Sequence, residues 1–241
     1  MASVRRDIKP AMAPLALLYD IHGNINALEA VLGDAEGAGV TSYVLGGDYG
    51  LFGPEPEATV DRLRGVDDAH WIRGNGERWT ARPDEAPDNP VVQGAIAACR
   101  EALGPALVAE LESLPEQLVL EATRFCHGSP ISDVRSFMPQ PTDDEAELLN
   151  GVGEPRLVFG HTHLPFRRLS ASGVDLVNPG SVGMPFDGDT RAAYALLREN
   201  GQIEHRRVSY DHTAAAQAVA KRFGGASWTD TVARRIASAR F

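Results

Sequence analysis

The sequence predicts an α/β protein in which two sheets pack face to face with helices outside. Three observations carry this. The first half alternates short apolar runs with segments of helical periodicity. The second half is richer in strand-like runs separated by turns. Residues with ligand chemistry fall at the carboxyl ends of the apolar runs, where open α/β sheets place their sites.

Ala16–Tyr19 reads as a buried strand that stops at Asp20. Gly23 permits a sharp turn, Asn24 is a good N-cap, and Ile25, Leu28, Val31 and Leu32 recur at helical spacing up to Gly37 or Gly39. Ser42–Leu45 is the next strand, closed by Gly46-Gly47-Asp48, and completes a βαβ unit. Glu55–Leu63 is helical after Gly53-Pro54. Ala69–Arg73 is a third strand, closed by Gly74-Asn75-Gly76-Glu77. Trp79–Pro90, rich in proline and acid, is predicted to be a loop. Val91–Leu111 is helical with a break at Gly104-Pro105, and Leu118–Phe125 is one strand ending at His127-Gly128. Within the irregular stretch Ile131–Gly153 a short helix is expected near Asp143–Leu149. Leu157–Phe159 and Asp175–Val177 are strands. Arg191–Leu197 and Ile203–Val208 pair around the turn Asn200-Gly201. Thr213–Phe223 and Trp228–Ala239 are the two C-terminal helices, in the region 209–241.

The chain has 241 residues, read as a single domain, with residues 1–13 as a flexible N-terminal extension. A formal net charge of −10 argues against binding long nucleic acid or an anionic membrane. A small phosphate substrate stays compatible, because bound cations invert the local field. Two cysteines, Cys99 and Cys126, make no disulfide framework and fit a cytoplasmic location. Arg5, Arg6 and Lys9 precede too short an apolar stretch for a signal peptide, and no run of about 18 apolar residues reads as a membrane span.

The chemistry centres on Val158–Leu164, where His161 and His163 lie two residues apart and would share one side of an extended backbone. Asp20 and His22 have the same spacing at an earlier strand end. Asp48 could bridge two cations through its two oxygens, Asn75 offers a carbonyl oxygen, and His127 an imidazole. Each fragment alone has a plain reading as a cap or a turn dipeptide. Together they supply seven ligands for two metals. Two divalent cations bring +4, while Asp20, Asp48 and a bridging hydroxide leave +1, a charge suited to phosphate. Mixed nitrogen and oxygen ligands favour divalent transition metals, manganese first, with iron, zinc or cobalt as alternatives, over magnesium or calcium. Two such metals about 3.5–4 Å apart suit an in-line displacement at phosphorus.

Asp20-x-His22, Gly47-Asp48, Gly74-Asn75-x-Glu77, His127 and Gly160-His161-x-His163 resemble the calcineurin-like metallophosphoesterase family. Gly23-Asn24, the Gly53-Pro54 loop and the segment Asn178-Pro179-Gly180-Ser181-Val182-Gly183 resemble its small prokaryotic branch. The resemblance spans about Leu15 to Val208. It implies a four-layer α/β/β/α sandwich of two mixed sheets with flanking helices. It implies that Asp20, His22, Asp48 and His163 hold one metal, that Asp48, Asn75, His127 and His161 hold the other, and that a metal-bridging hydroxide attacks. Asp48, Asn75 and His127 are the expected catalytic residues. Asn24, Gly76, Arg78, Arg135 and Arg167 are candidate substrate contacts, and Phe52, Trp79 and Phe186 could stack on a nucleobase. The family usually has a histidine after the asparagine, placed to assist the leaving group; here that position is Gly76. A positioned acid contributes about 10²–10⁴-fold, so the expected substrates are small phosphodiesters or phosphoanhydrides with stable leaving groups, such as dinucleoside polyphosphates. A cyclic-nucleotide phosphodiesterase or a phosphomonoesterase is the alternative within the class. A non-catalytic protein-interaction scaffold, as the retromer subunit of this fold is by resemblance, is the alternative outside it, and the complete ligand set weighs against it.

Overall fold

The computed structural model describes residues 13–241; the N-terminal extension expected over 1–13 lies, except for Ala13, outside the described residues. One sheet is built on β1 (Leu15–Leu18), β2 (Ser42–Leu45) and β3 (Ala69–Trp71) in parallel. Its antiparallel extension is β9 (Ala192–Leu197) and β10 (Ile203–Val208), giving the order β10-β9-β1-β2-β3. The other sheet has β5 (Thr123–Cys126), β6 (Arg156–Val158) and β8 (Asp175–Asn178) in parallel. Its antiparallel edges are β4 (Gln117–Leu120) and β7 (Phe166–Leu169), in the order β4-β5-β6-β8-β7.

The period of two explains the layering. Ala16 and Leu18 of β1 face α1 (Ile25–Gly37), whereas Leu17, with Tyr19 just beyond the strand, faces the second sheet and meets Phe125, Val158 and Val177. Leu157, Phe159 and Leu176 face outward onto Phe137 and onto Leu148 of α5 (Glu145–Leu148). The parallel strands are thus covered on both faces, which is why they read as apolar runs without alternation. The result is the α/β/β/α sandwich. Asn24 caps α1, its Oδ1 accepting from Ala27 N at 3.2 Å. In α2 (Pro56–Arg64) a proline occupies the first helical position, where no amide donor is needed.

Several elements differ from expectation. Leu118–Phe125 is a hairpin rather than one strand: β4 and β5 turn through Glu121, at φ 51°. β7 was not visible in the sequence, because its burial is that of an edge strand with alternate residues exposed. Trp79 lies in α3 (Asn75–Ala81), which starts on the Gly-Asn motif itself, and Pro83–Glu85 forms a 3₁₀ turn. In α4 (Pro90–Glu112) the backbone breaks at Gly104, φ 70°, before Pro105. Among the described helices α4 is long and apolar enough to cross a membrane, contrary to the expectation that no such segment exists. It is broken at Gly104 and packs one face, with Ala95, Ile96 and Cys99, against Trp228 and Val232. α6 (His212–Phe223) and α7 (Ser227–Ser238) pack on each other, and α7 also packs on α4.

Candidate metal centre

The candidate ligands stand on backbone turned the wrong way for a strand. Asp20, His22, Asp48, His161 and His163 all have positive φ, between 51° and 67°. They are five of the nine such non-glycine residues among those described. Each such conformation costs of order 1–3 kcal/mol and persists only when its surroundings hold it. Here the hold is a web of main-chain bonds between strand ends. His22 N donates to Asp48 O at 2.8 Å, Gly183 N to Asp20 O at 3.0 Å, and His161 N to Asp20 Oδ2 at 3.0 Å. The expectation that His161 and His163 share one side of an extended chain is therefore corrected. The left-handed turns send them apart. His161 Nδ1 meets the Asn75 amide at 2.8 Å, while His163 Nε2 lies 3.1 Å from His22 Nε2 and 3.5 Å from Asp20 Oδ1.

The ring tautomers follow from their partners. His22 Nδ1 faces Leu51 O at 2.9 Å, His163 Nδ1 faces Met184 O at 2.5 Å, and His127 Nδ1 faces Gly46 O at 2.9 Å. A carbonyl only accepts, so each Nδ1 carries the proton and each Nε2 presents a lone pair inward. The lone pairs of His22 and His163 then face each other with no donor between them. Asp20 Oδ1 is buried and has no hydrogen-bond partner. His127 Nε2 lies 3.5 Å from Asp48 Oδ1 and 3.8 Å from Asp20 Oδ1. Asp20, His22 and His163 each present a ligand atom within 4.8 Å of the others, and so do Asp20, Asp48 and His127. This buried convergence of lone pairs and carboxylate oxygens fits a divalent cation. Asn75 is ambivalent. Its Nδ2, turned inward, would donate to His161 and His127, whereas a cation would take its oxygen in the same place.

Electrostatics agree. Burial, with Asp48 and Glu77 adding to it, pushes Asp20 up to about 8 against the pull of His127. Burial and the Glu77 carboxylate raise Asp48 well above the carboxylate range. Burial lowers His22 and His161 to about 3 and His163 well below the ordinary imidazole range; His127, His161 and Arg235 add to the effect at His22. The His22, His161 and His163 imidazoles are thereby kept neutral, and burial disfavours the ionised form of the two carboxylates.

Sequence reasoning quoted Glu77 and Ser181 in motifs without giving them roles. Glu77 Oε2 accepts from Asp48 N at 2.9 Å and Gly74 N at 2.8 Å, and Oε1 from Tyr49 N at 2.8 Å, so this one carboxylate pins two ligand-bearing turns. Ser181 Oγ donates to Asp20 O at 2.7 Å and accepts from Met184 N at 2.8 Å. Their signal was the acid three residues after Gly74 and the length of the Asn178–Gly183 loop.

Residues 14–202 match the family model described as the calcineurin-like phosphoesterase superfamily domain. The chain belongs to that superfamily. It is a metal-dependent phosphoesterase with candidate metal-binding residues at the strand ends. A metallophosphoesterase from Sphaerobacter thermophilus is 27% identical, with a TM-score of 0.77 over 95% of this chain and 99% of its own. A hypothetical protein of Pyrococcus horikoshii shares the fold at 21% identity, TM-score 0.83, over 95% and 99% of the two chains. An uncharacterized protein of Methanocaldococcus jannaschii is 29% identical over 231 residues, 86% of this chain and 92% of its own.

In this phosphoesterase the candidate substrate contacts divide. Arg78 binds Asp133 through two bonds of 2.6 and 2.7 Å and lines, with Arg73 and His127, a cavity of about 300 Å³. Gly76 N donates to Asp48 Oδ1 at 2.6 Å. Asn24 is buried and committed to Ala27 N, Gly183 O and Tyr210 Oη. The Arg135 guanidinium is taken up by Asp144 and Glu147, and that of Arg167 by Asp175. Phe186 stacks on His163, with centroids 4.3 Å apart and planes 12° from parallel. Phe52 lies 5.7 Å from the His22 ring.

Proposed function

We propose that this phosphoesterase hydrolyses small phosphodiesters or phosphoanhydrides of the nucleotide or dinucleoside polyphosphate type, using two divalent transition cations. One would be held by Asp20, His22, Asp48 and His163, the other by Asp48, Asn75, His127 and His161, with manganese first among the candidate metals. The reading is carried by the unpartnered Asp20 Oδ1 and the Nε2 lone pairs of His22, His127 and His163 that converge beside it. Bound cations supply Lewis acidity toward phosphoryl oxygens and a lowered pKa for water. The chain supplies the rest. Gly46, Leu51 and Met184 carbonyls hold three imidazoles in the tautomer that offers Nε2. Glu77 and Gly76 N fix Asp48 between the two halves of the site. The first shell returns only two negative charges, from Asp20 and Asp48, which leaves the loaded site attractive to phosphate.

No side chain of the Gly76 position can protonate a leaving group. His70 of β3 has its Nε2 3.9 Å from Asp68 Oδ1. Leaving groups that are stable as anions follow, and alkyl phosphomonoesters are the poorest expected substrates. The test is product analysis of diadenosine tetraphosphate incubated with manganese-loaded protein, with Asp48→Ala alongside. The parent is expected to release nucleotides and the variant to be slower by at least about 10³-fold, the scale of several kcal/mol of transition-state stabilisation. Silence of the metal-replete parent on this substrate, on bis(p-nitrophenyl) phosphate and on cyclic nucleotides would return the scaffold reading.

A further inference from the structure

We propose that Arg235 of α7 holds a second phosphate of the substrate, next to the phosphate under attack, so that this enzyme selects substrates with two adjacent anionic groups. The inference rests on the hydrolytic reading above and adds a residue and a substrate class to it.

Arg235 is the exception among the arginines. Every other partly buried arginine among the described residues has a carboxylate within 4.0 Å, as in Arg78–Asp133, Arg124–Glu154 and Arg206–Asp34. Arg235 has no ion pair among the described residues, and its Nε is buried without a hydrogen-bond partner there. This occurs in a chain with 33 acidic and 23 basic side chains, where a carboxylate is easily found. A desolvated guanidinium without a counter-charge is costly, and an anionic ligand would remove that cost.

Its position gives the ligand a place. The Arg235 Cζ stands 4.0 Å from the Phe241 ring centroid and 6.0 Å from that of Phe186. Phe186 is the ring stacked on His163, so one aromatic ring separates the guanidinium from the metal centre. The Phe241 ring lies against the guanidinium, a contact that favours its charge but meets none of its hydrogen-bond donors. α7 lies outside residues 14–202, so Arg235 is not part of the region that the superfamily model matches. A phosphoanhydride meets the arrangement: one phosphate at the strand ends, its neighbour at Arg235. An isolated diester has no group for Arg235 to hold.

The test compares Arg235→Gln and Arg235→Lys with the parent, all manganese-loaded, on diadenosine tetraphosphate and on bis(p-nitrophenyl) phosphate. Arg235→Gln is expected to lower kcat/KM on the tetraphosphate by about 10–100-fold, the worth of a charge-assisted hydrogen bond, and at least ten-fold less on the diester. Arg235→Lys should recover part of the loss, since it keeps the charge without the fork. Arg234→Gln, an exposed neighbour on the same helix, should match the parent on both substrates. Equal losses on the two substrates would assign Arg235 a structural role and overturn the proposal. A second measurement does not depend on turnover: calorimetric titration with pyrophosphate, expected to bind the parent about ten-fold more tightly than Arg235→Gln. Equal affinities, or no binding to the parent, overturn the proposal even if the hydrolytic reading stands. If the parent cleaves neither substrate, the hydrolytic reading fails while the pyrophosphate titration still decides Arg235. If Arg235→Gln does not fold, the titration of Arg235→Lys against the parent decides it.

Discussion

Gly76 shows how far one atom reaches. A Cβ built there would lie 2.8 Å from Asp48 Oδ1 and 3.1 Å from its Cγ, on the residue expected to serve both cations. The glycine lets the backbone amide approach that carboxylate at 2.6 Å. Absence of the usual histidine is therefore tied to the packing of this site, and restoring the side chain would not restore its role. Gly76→Ala is expected to cost about 1–3 kcal/mol in denaturant unfolding, the scale of overpacking, and to weaken metal binding. Gly76→His should gain no activity on alkyl phosphomonoesters. A histidine variant that gained such activity with unchanged metal affinity would show that Asp48 yields easily and that the steric account is mistaken.

At the scale of elements, turns decide more than strands. The parallel strands deliver the chain to the right edge of each sheet, but the left-handed residues after them aim the side chains. Helices then tie the edges down. Asp34 of α1 accepts from Arg206 Nε of β10 at 2.7 Å and from Tyr194 Oη of β9 at 2.5 Å. The Arg206 hydrogen bond, with that of Tyr194, holds the Asp34 carboxyl below its ordinary range. The folded pKa is depressed, so this contribution to stability is present above the unfolded value near pH 3.9 and is lost as pH falls through the folded one. The unfolding free energies of the parent and Asp34→Asn should differ most above about pH 5 and converge as the solution is acidified toward the folded pKa. A difference that stayed constant down to the acid limit would mean that the amide replaces the carboxylate fully. The pair is partly exposed and screened by solvent.

For the whole molecule, the sandwich brings together residues far apart in sequence: His22 meets His163 across 141 positions. The folded protein thus stores buried carboxylates and facing lone pairs that a bound cation would relieve, and the unfolded chain has no such site. Metal should therefore act as a folding ligand. At a free metal concentration about 100 times Kd, the expected gain is about 2.7 kcal/mol, which for a chain of this size is a rise in Tm of about 5–10 °C. Thermal scans with manganese and with chelator would show it, and Asp48→Ala should lose most of the difference. Identical melting in both conditions would count against a metal centre at these residues.

The sequence by itself singled out the candidate ligand residues, because ligand identity and position at the end of an apolar run are local properties. Asp20, His22, Asp48, Asn75, His127, His161 and His163 were legible in this way, as were the βα alternation, the cap at Asn24 and the break at Gly104. The tertiary structure alone decided where those side chains point, because left-handed backbone at non-glycine residues is held by hydrogen bonds from distant strand ends, not by neighbours in sequence. It alone decided the hairpin of β4 and β5 and the edge strand β7, whose pairing lies outside their own segments. Asn24, Arg135 and Arg167 were candidate substrate contacts until Gly183, Glu147 and Asp175 were placed beside them. Arg235 was one arginine among many until the fold left it without a carboxylate and set it one aromatic ring from His163. Charge pairing and burial are sums over the surroundings, and the surroundings are assembled only when the two sheets close.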